Sequence, residues 1–111
     1  MPKIYKLQWT QNAKDDLFSI VEYIQKESPS AVKDVYKKIR KKAHSSDFFP
    51  LKGRVVPELQ KEGVTMYKEV ISEPWRIMYK VGNDTVYIMA ILDSRQNVED
   101  ILLQKLLKRE R

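Results

Sequence analysis

The sequence predicts an α+β fold: an N-terminal strand, an antiparallel helix hairpin, then a three-stranded antiparallel sheet and a short C-terminal helix. Three observations predict it. Apolar residues recur at helical spacing in two successive segments before residue 45. Three strand-like runs, TMYKEVI, WRIMYKV and TVYIMAILDSR, follow Gly53. Between them stand Ser72-Glu73-Pro74 and Gly82-Asn83-Asp84, residues that make tight turns. A chain of 111 residues is expected to form one domain over 1–111, with a core of its own.

Ile4 to Trp9 alternates apolar and polar side chains and reads as the first strand. Thr10 is placed to cap a helix whose stripe is Ala13, Leu17, Ile20, Val21 and Ile24. Asp15 and Asp16 fall early in it, where carboxylates complement the helix dipole. Ser28-Pro29 closes that helix and opens the next, with Ser28 as cap and Pro29 at the first helical position. Val32, Val35, Tyr36, Ile39 and Ala43 make the second stripe, while Lys33, Lys37, Lys38, Arg40, Lys41 and Lys42 fall mostly on its other faces. Phe48, Phe49 and Pro50 read as a loop anchored in the core, and Gly53 as a tight bend.

Met66–Ile71, Trp75–Val81 and Thr85–Leu92 are the sheet strands; the last is apolar on both faces and is expected inside, covered on both sides. A helix over about Val98–Leu107 presents Ile101, Leu102 and Lys105 or Leu106 before the basic tail KRER.

The net charge of +6 is uneven. Residues 1–28 are balanced, residues 29–65 carry +5 and residues 66–111 carry +1. Such a field steers anionic partners. The absence of cysteine excludes disulfides and thiolate metal sites, and His44, the single histidine, argues against zinc. We expect no metal and no cofactor. No apolar run is long enough to span a membrane and no secretory signal opens the chain, so a cytoplasmic protein is expected.

If Glu73-Pro74 is a two-residue loop, Ser72 faces Trp75, Ile71 faces Arg76, Glu69 faces Met78 and Tyr67 faces Lys80. One face then carries Tyr67, Glu69, Ile71, Arg76, Met78 and Lys80. The other, with Met66, Val70, Trp75, Ile77, Tyr79 and Val81, meets the helices, and Lys68 is its one charge. Arg76 lies diagonal to Glu69 on a half-open face. Arg95, just past the last strand, is expected to point its guanidinium into the same groove, making a docking surface for carboxylate or phosphate.

Catalysis reads less well. Metal-free RNA cleavage needs a base, cations for the transition state and an acid for the leaving oxygen. Arg76 and Arg95 could supply the cations, but arginines beside Glu69 or Asp93 lower the pKa of either as a base. His44, at the end of the second helix, reads as a partner for the helix dipole.

The ordered motifs W-T-x-x-A-x-x-D-L-x-x-I-x-x-Y-I (Trp9 to Ile24), S-P-x-A (Ser28 to Ala31), F-P-x-x-G-R-x-V-P-E-L (Phe49 to Leu59), Y-K-E-V (Tyr67 to Val70), W-R-I-x-Y (Trp75 to Tyr79) and L-D-S-R (Leu92 to Arg95) resemble the RelE/ParE superfamily of type II toxins. The resemblance implies a cognate antitoxin that folds on binding. Its RelE branch cleaves ribosome-bound mRNA; its ParE branch poisons DNA gyrase. For a ribonuclease the resemblance implies Lys68, Arg76 and Arg95 as cations, with Glu69 beside them. The chain has Glu69 where that branch favours a cation, and neither Tyr nor His in residues 96–111. G-R-x-V-P-E-L, Y-K-E-V and the long hairpin resemble ParE. The expected binding surface comprises Arg54, Tyr67, Lys68, Glu69, Arg76, Lys80, Asp93 and Arg95, with Lys37, Lys38, Arg40, Lys41 and Lys42 as a basic helix face.

Overall fold

The computed structural model describes residues 5–44, 53–96 and 100–101. Strand β1 (Lys6–Trp9) leads into helix α1 (Gln11–Glu27), a 3-10 turn (Pro29–Ala31) and helix α2 (Val32–His44). Then come the short strand β2 (Arg54–Val55), a one-turn helix α3 (Pro57–Gln60), and strands β3 (Tyr67–Ser72), β4 (Trp75–Val81) and β5 (Thr85–Asp93). The α+β class and the helix hairpin are as expected, but the sheet has five strands in the order β1-β5-β4-β3-β2. β1 joins it parallel to β5, and all other pairs are antiparallel.

The β3–β4 register is the one derived from the two-residue loop, from Ser72↔Trp75 through Glu69↔Met78 to Tyr67↔Lys80. β5 is interior, as its apolar character requires. It carries a bulge: Met78 pairs with Ala90 and Tyr79 with Ile88, so Met89 is the extra residue. Ile88 and Ile91 therefore share one face despite being three residues apart.

That face packs Ile77, Tyr79, Val86, Ile88 and Ile91 against Ala13, Ile20, Ile39 and Ala43 of the hairpin. The opposite face was expected half-open and is not. Val56 and Leu59, with Val64 beside them, pack on Tyr67, Met78, Ala90 and Leu92 and close it. Short runs such as V-P-E-L give little periodicity, so only the apolar pair Val56/Leu59 hinted at a covering element.

β1 accompanies β5 only from Thr85 to Ile88. Beyond that point α1 supplies the missing partners. Thr10 caps α1, its hydroxyl accepting from the Ala13 N–H at 3.2 Å and donating to the Ile88 carbonyl at 2.8 Å. Asn12 donates to the Met89 carbonyl at 2.8 Å, and buried Asp16 accepts from the Ile91 N–H at 3.0 Å. Asp16 thus satisfies the bulged strand, rather than the dipole role read from sequence; no acidic residue lies in the first turn of α1. Ser28 likewise makes no side-chain cap, and its N–H instead closes α1 on the Ile24 carbonyl at 2.7 Å.

Gly53 sits at a bend, as expected, and is also needed for close approach: a β-carbon there would sit 2.2 Å from the Tyr79 hydroxyl, which accepts its N–H at 3.0 Å. Gly63 is the left-handed residue, with φ +82°. It ends α3, its N–H bonding the Gln60 carbonyl at 2.9 Å while Val64 N–H bonds that of Leu59 at 2.9 Å. The expected loop Phe48, Phe49 and Pro50 lies outside the described residues, as does most of Val98–Leu107; Asp100 and Ile101 are helical.

Open space surrounds a β-carbon at Gly63, so Gly63→Ala carries only the left-handed backbone cost of about 1–2 kcal/mol. Chemical denaturation should show that loss with an unchanged m-value.

Candidate functional site

β3 and β4 place Glu69 and Arg76 diagonally on the face beneath α3. Arg76 is buried, and a guanidinium there needs carboxylates on its donor edges. It has two. Nε and Nη2 donate to Glu69 at 2.6 and 3.0 Å, while Nη1 and Nη2 donate to Glu58 of α3 at 2.8 and 2.7 Å. Arg54 Nε donates to Glu69 from β2, its register partner. The side chain of Glu69 is fully buried and that of Glu58 partly open.

The four groups carry two positive and two negative charges and neutralise one another. Hydrogen bonding to Arg76 holds the Glu58 carboxyl below its ordinary value of 4.5, against the opposing pull of burial. The same bonds push the Arg76 guanidinium pKa up.

Arg95 belongs to a different place. It is exposed and binds Asp93 through Nε at 2.9 Å and Nη2 at 2.6 Å, with its backbone N–H adding a third bond at 2.9 Å. Arg95 is the main reason the Asp93 pKa is lowered. Both residues line a cleft of about 630 Å³ with Asp16, Ser19 and Tyr23 of α1 and Trp75 at the start of β4. Arg76 is not part of that cleft.

The expected pair of guanidinium groups converging on one groove is therefore not what the chain builds. Tyr67, Glu69 and Arg76 are buried, so they are corrected from surface residues to interior ones. Arg54 and Arg95 are exposed, and Lys68, Lys80 and Asp93 are half-buried at the sheet. Lys37, Lys38, Arg40, Lys41 and Lys42 are exposed on α2, as the helical spacing required. Glu58, the partner that settles Arg76, was missed. Its signal was an arginine within an apolar strand, which demands more than the single carboxylate found across the hairpin.

The family described as ParE toxin of type II toxin–antitoxin system, parDE, matches residues 7–98, and the chain belongs to it. Among solved structures it is similar to the chromosomal ParDE system from P. aeruginosa, at 18% identity and a TM-score of 0.68 over 81% of this chain and 96% of that one. It is also similar to the toxin–antitoxin complex RelBE2 from Mycobacterium tuberculosis, at 18% identity and a TM-score of 0.57 over 84% and 94%. At such identity the likeness is one of fold. The comparison with curated proteins finds no match. Among the described residues no helix is long and apolar enough to cross a membrane.

Arg76→Ala strands a fully buried Glu69 with only Arg54, and should cost about 3–5 kcal/mol in a denaturant titration. Because the Glu58 pKa is depressed in the folded state, its stabilisation is complete above 4.5 and fades as pH falls through the depressed value. Glu58→Gln should therefore destabilise the protein at neutral pH, and the gap from wild type should close in acid.

Proposed function

We propose that this chain, the toxin component of a type II toxin–antitoxin system with a cognate antitoxin as partner, acts by poisoning DNA gyrase. The observation that carries the reading is the neutralised Arg76. Metal-free RNA cleavage needs a cation and a base free to meet the substrate. Arg76 is occupied along both donor edges, Glu69 is enclosed, and hydrogen bonding to Arg76 lowers the Glu58 pKa, which weakens it as a base. Asp93 is similarly acidified by Arg95. This favours a toxin that binds its target over one that performs chemistry at the sheet face.

In this reading the hairpin and its basic face meet the gyrase–DNA complex. The rim, exposed Arg54 and Arg95 with half-buried Lys68, Lys80 and Asp93, takes part in antitoxin docking, with Tyr67, Glu69 and Arg76 as its scaffold beneath. The purified chain should inhibit gyrase supercoiling and trap cleaved DNA, and added antitoxin should relieve both. Intact gyrase activity at micromolar protein, with codon-phased cuts in ribosome-bound message abolished by Arg95→Ala, overturns the reading in favour of an mRNA endonuclease.

A further inference from the structure

We infer that the outward face of α2 binds the phosphate backbone of duplex DNA without reading its sequence. The inner side of the helix is fixed by Ile39 and Ala43, both fully buried. Lys33, Lys37 and Lys41 recur every four residues on the opposite side and are exposed. No acidic group among the described residues pairs with them: Asp34, the one carboxylate of α2, bridges to Lys38 at 3.2 Å.

At ~1.5 Å per residue the three lysines span about 12 Å. That distance covers three to four phosphates of one strand, spaced about 3.4 Å apart along the axis. Lysine offers point charges rather than the planar fork that reads a guanine edge. The one arginine of the helix is already engaged: Arg40 lies 5.7 Å over the Tyr36 ring and donates to its hydroxyl at 3.0 Å. α2 has no Asn or Gln to read adenine. Charge without base-reading groups positions a duplex and leaves its sequence unread.

An acidic peptide is the competing occupant. Protein interfaces exclude lysine from their centres and anchor on apolar side chains, and this stripe offers none. The inference rests on the gyrase reading in one respect: the duplex is taken to be the segment held by that enzyme. The binding is measured without it.

Fluorescence anisotropy of a labelled random-sequence duplex, titrated with the whole chain, should show affinity falling with a log–log salt slope of about −2.7 for three contacts. That is roughly a 40-fold loss between about 50 and 200 mM salt. Lys33→Gln, Lys37→Gln and Lys41→Gln together should flatten the slope while thermal unfolding stays as in wild type. Duplex affinity that is absent, indifferent to salt, or unchanged in the triple variant overturns the inference. So does a polyglutamate peptide that needs these lysines when the duplex does not. Gyrase inhibition by a wild-type chain that binds no duplex overturns this inference alone. Duplex binding through the stripe without any effect on gyrase supports it and overturns the gyrase reading.

Discussion

A guanidinium removed from water has to be met by carboxylates on its donor edges, and Arg76 meets that requirement from two separate parts of the chain. Glu69 comes from the neighbouring strand and fixes where β3 lies on β4. Glu58 comes from α3 and fixes where that one-turn helix sits over the sheet. With α3 held there, Val56 and Leu59 cover Tyr67, Met78, Ala90 and Leu92, and the sheet acquires its second core. Well-packed apolar groups of similar volume often match such an ionic cluster in stability. What the ions add is position, because bidentate contacts tolerate little displacement.

The arrangement divides the protein's charges by role. Those inside the sheet are balanced and structural. Those on α2 are unbalanced and outward, and they carry most of the excess that the sequence shows between residues 29 and 65. This chain therefore presents its neutral framework and its cationic surface on different elements. Exposure, rather than charge alone, tells the two sets apart.

The elements read from sequence are those with strong local signals. The stripes of α1 and α2 and the turns at Glu73-Pro74 and Gly82-Asn83-Asp84 gave the hairpin and the β3–β4 register, down to the residue opposite Arg76. Less legible were features that depend on distant partners. β2 has two residues and no alternation to detect. β1 was recognised as a strand, but its pairing with β5 joins the two ends of the sequence. Arg76 was correctly singled out as unusual and its neighbour Glu69 correctly found. Its burial depended on α3, a single turn whose amphipathic pattern is too short to register. For the same reason Asp16 read as a helix-dipole residue, when its partner is a backbone N–H on β5.

The bulge at Met89 decides where β5 can change length by one residue. Side chains alternate along a strand, so inserting or deleting one residue ordinarily turns everything downstream inside out. Met89 is the exception, since Ile88 and Ala90 already occupy consecutive places opposite Tyr79 and Met78. Its loss would leave Ile91 opposite Ile77 and Leu92 opposite Arg76, and the end of β5 would stay where it is. A chain one residue shorter at this point would keep both cores and its Asp-Ser-Arg corner in place, giving up only the local bend and added twist of the bulge.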